Sequence, residues 1–363
     1  MTEKKEKCKE NKVYSISRLD AINRCLYEAY RTYILGERGG GNCYTYMGSI
    51  IHEVLEGITN GINTEADLLP AMQKELEDID MLGIEFPKGR NGEDIIREHW
   101  IQDMTHFCNT YQAPKGKNLK AEEKFIYKTP ASNTLQGFID LQHIHKDGSI
   151  DIYDYKTSSM YSGADFKDHS RQLITYVLGK EQEGYKVNSA AFIFLKYVEF
   201  RFMGKKTVKS KNETEITKIV ERCKIGKEMS PYIEVDLLNH GYDQIDAEFI
   251  LSEFKKYKTV DVLPEEIRDR YSMRPCVVKA DLSDEARQEC IEYIDNTIAM
   301  WEGLSGKVSD YPPLEFTKIT KTGKITENTF FCTQLCPHYK ECPYIHDFQM
   351  QKNTTDDDFD DLF

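Results

Sequence analysis

Between residues 17 and 35 the apolar positions Leu19, Ile22, Leu26, Ala29, Tyr30 and Tyr33 recur every third or fourth residue, which predicts an amphipathic helix. The same period predicts helices over 46–60, 64–78, 91–112, 166–183 and 283–303. Runs of β-type residues mark strands at 121–128, 133–145, 149–156 and, largely apolar, 189–197. The two middle strands are joined by His145, Lys146, Asp147 and Gly148, a tight hairpin turn. A β-β-β-α-β order predicts an α/β (α+β) fold with a mixed sheet flanked by helices. Gly36 to Gly41 lacks the Lys-Ser/Thr pair of a phosphate loop and reads as a flexible connection. No internal repeat is evident.

Composition narrows the class. With 363 residues, 40% hydrophobic and 11% aromatic, the chain can bury a large core and is expected to be soluble. No apolar run approaches membrane-spanning length, and the charged start from Met1 to Lys7 argues against a secretory signal. A reducing cytoplasm follows, in which the ten cysteines are not expected to pair as disulfides. The net charge of −13 counts against tight, nonspecific duplex binding, although five of the acids sit in the tail from Asp356 to Phe363.

The hairpin carries the chemistry. Asp140 and Asp154 fall on its two strands, and Lys156 has the same parity as Asp154, so its side chain leaves from the same face. Either acid alone would pass for a turn-flanking residue. Two carboxylates can hold Mg²⁺ or Mn²⁺, and a lysine beside them can orient water for metal-assisted hydrolysis of a phosphodiester. Gln172 and Tyr176, four apart, share a helix face. His52 lies at the seam of an amphipathic helix, where a lone histidine is ordinarily a satisfied core residue. Cys332, Cys336 and Cys342 form a tight group that suits zinc, with His338 or His346 completing a local site, or iron–sulfur ligation.

The pattern Asp140…Asp154-x-Lys156 resembles the PD-(D/E)XK nuclease superfamily, in the branch typified by the nuclease domains of RecB and AddB. Gly48-x-x-x-His52-Glu53 is similar to its upstream helix motif, and Gln172-x-x-x-Tyr176 to the motif that follows the lysine. Ser15-x-Ser17-x-Leu19 with Cys25, and the closing cysteines, are similar to members with an iron–sulfur cluster, among them CRISPR-associated exonucleases. The spacing of Cys332, Cys336 and Cys342 departs slightly from the C-x₂-C-x₅-C of some members.

The resemblance implies a restriction-endonuclease-like core with metal ligands Asp140, Asp154, the Tyr155 carbonyl and His52, and Glu123 as a further acid on the preceding strand. It also implies Lys156, Gln172 and Tyr176 as catalytic residues. Cys25, Cys332, Cys336 and Cys342 would hold a 4Fe–4S cluster joining the chain ends, with structural Zn²⁺ as the alternative. The organisation expected is a disordered 1–12, a helical region 13–120, the nuclease core 121–197, a family-specific insertion 198–285, a helix and cysteine group 286–347, and a disordered acidic tail 348–363.

The implied activity is a DNA exonuclease acting on single strands or ends in recombination, repair or phage DNA processing. No P-loop is present, so any motor, such as a helicase, is a separate partner. The tail from Asp356 to Phe363 resembles the tip of single-stranded-DNA-binding proteins, which reads as a docking peptide for a repair protein or an internal DNA mimic, against a merely solubilising tail. Two other classes stand beside this reading: a non-catalytic DNA-end clamp, and a zinc-dependent nucleic-acid-binding protein without hydrolysis.

Overall fold

The periodic stretch at 17–35 forms two helices rather than one. In the computed structural model, which describes residues 12–89, 92–114, 118–204, 213–320 and 322–360 (side chains as far as 352), Cys25 adopts an extended backbone with φ −154° and ψ 106°. It ends α1 (Ile16–Arg24) and starts α2 (Leu26–Tyr33), its Sγ accepting the Glu28 N–H at 3.5 Å as an N-cap. Apolar spacing does not register a break of one residue. Ahead of α1 lies a short strand, β1 (Val13–Tyr14).

Next come α3 (Cys43–Thr59), α4 (Leu68–Met81) and α5 (Ile95–Thr110). Asn42 caps α3 by accepting the Thr45 N–H at 3.0 Å. The strands β2 (Leu119–Lys128), β3 (Thr134–Ile144) and β4 (Ile150–Lys156) are antiparallel neighbours. The crossover helix α6 (Ala164–Gln182) then delivers β5 (Val187–Gly204) parallel to β4. One edge of β3 pairs with β2. The other is shared by β1 at Thr134–Leu135 and by β4 at Leu141–Ile144, so it lies open around Asp140. This is the mixed sheet expected from the element order.

Helices cover both faces. Leu19, Ile22, Leu173, Val177, Ile294 and Trp301 pack on one, with Ile152 and Phe192 of the sheet. Met47, Ile51, Leu55, Met72, Trp100 and Phe107 pack on the other, with Leu141, Tyr155 and Leu195.

The segments expected as an insertion and as a tail both carry regular structure. Residues 198–285 add two strands to the sheet. β5 does not stop at 197; its outer half pairs with β6 (Thr214–Glu221) and, along most of its length, with β7 (Tyr271–Lys279). Between them α7 (Ile225–Asn239), α8 (Gln244–Tyr257) and a short α9 (Glu265–Arg268) bury Phe200, Phe202, Met229, Leu237 and Phe254. The tail is helical as far as Asp360. After α10 (Asp284–Glu302) and the hairpin β8 (Thr317–Ile319) and β9 (Ile325–Glu327), α11 (Pro343–Asp360) begins on a proline, suited to a first helical turn. Its Phe348 ring packs on Phe316 at 5.2 Å.

The expected disorder at 1–11, the lysine group Lys205, Lys206, Lys209 and Lys211, and the last three residues lie outside the described residues. No described helix is long and apolar enough to cross a membrane.

Candidate active site and cysteine centre

Strand register assembles a row of acids. Leu141 opposite Tyr153 continues to Asp140 opposite Asp154. On the other side, Ala121 opposite Leu141 and Glu123 opposite Ile139 set Glu122 across from Asp140. Glu122 is not bonded into the ladder and sits at φ +50°, a left-handed position uncommon for a glutamate. Burial, and then the charge of Asp140, raise its pKa. Glu123, the acid expected here, instead pairs with Lys120 at 3.4 Å, and has no hydrogen bond or ion pair with Asp140 or Asp154. With Glu122 and Glu123 both acidic, the sequence alone held no signal to choose between them; only the register and the local backbone turn do.

Asp140 Oδ2 accepts the Tyr155 N–H at 2.8 Å and stands 3.3 Å from His52 Nδ1. Burial opposes protonation of His52, but Asp140 outweighs it, and the His52 pKa is raised. Asp154 is 2% exposed. Its Oδ1 accepts the Tyr176 hydroxyl at 3.3 Å, and Gln172 Nε2 donates to that hydroxyl at 2.7 Å. The Lys156 ammonium donates to Gln172 Oε1 at 2.8 Å and stands 2.6 Å from Asp154 Oδ2. Asp154 Oδ2 is fully buried, and the Lys156 ammonium is its one close partner among the described residues. Burial pushes the Asp154 carboxyl up, against the pull of Lys156, and the Asp140 charge adds to the push. Lys156 is itself held protonated: burial lowers its pKa, and Asp154 more than restores it.

The side chains are seated by packing. Phe125 of β2 meets Tyr176 edge-on at 5.1 Å. A Cβ on Gly137 would come within 2.8 Å of this ring and one on Gly179 within 2.5 Å, so the ring lies flush against β3 and α6 only because both residues are glycine. His52, Asp140, Asp154, Tyr155, Lys156, Gln172 and Tyr176 are thus brought together; Glu123 is not. A buried carboxylate in register with a second carboxylate that an imidazole approaches fits a divalent cation.

The four cysteines Cys25, Cys332, Cys336 and Cys342 line one pocket together with Tyr27, Phe316 and His338. Burial pushes the Cys332 and Cys336 thiols up, to about 11 and 12. The described triads of metal-ligand atoms within 4.8 Å of one another are His143, His145 and Asp151, and Asp103, Glu221 and Cys223. His346 packs on Tyr339 rather than lining the cavity, and His338 hydrogen-bonds Thr32 at 2.8 Å.

The glycine loop, expected to be a free connection, is tied to this centre. Gly40 N–H donates to Pro337 O at 3.2 Å, and a Cβ on Gly39 would come within 2.4 Å of Pro337. Asn42 Nδ2 donates to Leu335 O at 3.1 Å while its Oδ1 caps α3.

The model of the PD-(D/E)XK nuclease superfamily matches residues 13–343 of the chain. No curated protein matches the chain.

Proposed function

Because the chain belongs to the PD-(D/E)XK nuclease superfamily, and is therefore a metal-dependent nuclease, we propose that it is a DNA exonuclease acting on single strands or DNA ends, with Asp140, Asp154, the Tyr155 carbonyl, His52 and Glu122 around one or two Mg²⁺ or Mn²⁺ ions. The observation that carries the site assignment is the buried Asp154 carboxylate, paired with Lys156 at 2.6 Å and aligned in register with Asp140. The chemistry such an ion supplies when bound is Lewis-acid activation of water and neutralisation of charge at the scissile phosphate.

The chain's own residues do the positioning. An ammonium has three protons. In Lys156 one goes to Gln172 and one faces Asp154, which leaves one for the attacking water or a phosphate oxygen. Gln172 and Tyr176 form a closed ring of contacts from Lys156 back to Asp154, so the lysine and the carboxylate keep one relative placement.

At the cysteine centre the reading is a 4Fe–4S cluster held by Cys25, Cys332, Cys336 and Cys342. Four cysteines gathered in one pocket from segments far apart in the chain support a centre held by four thiolates.

The exonuclease reading rests on the motif order and on the absence of a P-loop in the sequence. The test is degradation of end-labelled linear and circular DNA, single- and double-stranded, by anaerobically purified protein with Mn²⁺ or EDTA. Metal-dependent loss of linear DNA alone is expected. Loss of circles means endonuclease action, and no cleavage by cluster-loaded protein leaves the DNA-end clamp.

A further inference from the structure

The turn end of the β3–β4 hairpin gathers three metal-binding side chains that the nuclease chemistry does not use. His143 and Asp151 are directly opposed across the two strands. His145, two residues on, brings its ring to 4.4 Å from the His143 ring and its Nε2 to 2.8 Å from Asp151 Oδ2. One ligand atom from each of the three lies within 4.8 Å of the other two. We propose that His143, His145 and Asp151 form a separate site for a borderline divalent cation, zinc in particular.

Four observations carry the proposal. The His145–Asp151 contact alone would pass for a surface ion pair, but the His143 ring has no hydrogen-bond partner among the described residues and still converges on it. Tetrahedral ligands with bonds of about 2.0–2.2 Å stand about 3.4 Å apart, so the nitrogen and oxygen, now at 2.8 Å, need only part slightly to share one ion. On binding, the cation takes the place of the proton that now bridges them. Asp151 is oriented from behind, because Ser189 on β5 donates to its Oδ1 at 2.6 Å, the kind of outer hydrogen bond that fixes a ligating carboxylate. The ligands stand on or beside paired strands, so little ordering is left to be done on binding.

Donor chemistry sets the metal class. Two imidazoles and one carboxylate favour zinc and its transition-metal neighbours over Mg²⁺, whereas the row of acids at the nuclease centre favours Mg²⁺ or Mn²⁺. Three protein ligands leave a further position open, and the site faces an open depression lined by Asn118, Lys146 and Asn188. The two centres do not share a face of β4: Asp151 has the parity of Tyr153, and Asp154 that of Ile152.

The test is zinc binding to the full chain in a large excess of Mg²⁺, measured as zinc retained through gel filtration and as affinity by competition with a chromophoric chelator. The wild-type protein should hold about one more zinc than His143→Gln, and His145→Gln should weaken that site at least tenfold while preserving a hydrogen bond to Asp151. Ser189→Ala, a positioning change away from the turn, should weaken it severalfold. Asp154→Asn should leave it unchanged. In chelator, His143→Gln and His145→Gln should melt close to the wild type, and zinc should raise melting in the wild type but not in His143→Gln. Equal zinc in the wild type and both histidine variants overturns the proposal. So does loss of the tight zinc in Asp154→Asn, which would place the ion at the nuclease centre.

Discussion

Asp154 is a carboxylate whose environment is tolerable only in company. Buried, with Lys156 2.6 Å from one oxygen, it depends on that ammonium and is suited to a cation. Asp154→Asn and Lys156→Ala should each lower cleavage on the order of 10³-fold or more while circular dichroism stays native. Gln172→Ala acts through the lysine and should cost roughly 10–100-fold. Glu122→Gln tests the acid that register, rather than motif, brings to the site: it should raise the Mn²⁺ concentration needed for half-maximal activity, and an unchanged metal dependence would remove Glu122 from the ligand set. Away from the site, His106 donates from Nε2 to Lys258 O and accepts an Arg222 N–H at Nδ1, each at 2.9 Å. Burial, and then the Arg222 charge, lower its pKa to about 4. The unfolded chain protonates this ring below about pH 6.5 while the native chain does not, so stability is retained above that pH and lost as pH falls towards 4. Denaturant melts of the wild type should show this slope, worth up to about 3 kcal/mol, and His106→Gln should flatten it.

At the scale of elements, the hairpin was legible because alternation fixes which side chains share a face, so Asp154 and Lys156 could be paired from parity alone. The crossover helix with Gln172 and Tyr176 was legible for the analogous reason, a four-residue spacing. Three things were not. Cys25 breaks the first helix without interrupting its apolar period. β5 runs on past Tyr197, because its outer half is covered by helices that come later in the chain. Glu122 turns out of the ladder by a backbone angle that its residue type does not announce. Between the hairpin and α6 the fit is close: Gly179→Ala drives a methyl into Phe125 and should destabilise the fold by about 1–3 kcal/mol, read as a lower denaturation midpoint, and should displace Tyr176 enough to reduce activity as well.

At the scale of the molecule, the cysteine cavity joins segments separated by about 300 residues of chain. Such a bridge stabilises by restricting the unfolded chain and by linking metal binding to folding. Cys332→Ser should abolish the brown colour expected of a 4Fe–4S protein and lower the melting temperature by roughly 5 °C or more. A colourless but zinc-containing wild-type protein would replace the cluster with zinc.

The Asn42 amide also has a consequence for how the protein is made. It holds the start of α3, the helix of His52, with one hand and the Leu335 carbonyl with the other. Synthesis runs from the N-terminus, so every residue of the nuclease centre, from His52 to Tyr176, leaves the ribosome well before Leu335 exists. Until that later segment arrives, Asn42 has no carbonyl there to grip and Cys25 has none of its three companions. The nascent chain therefore carries a full set of cutting residues without the fastening that seats the first of them, and its active centre is completed only after Leu335 and the cysteines around it have been made.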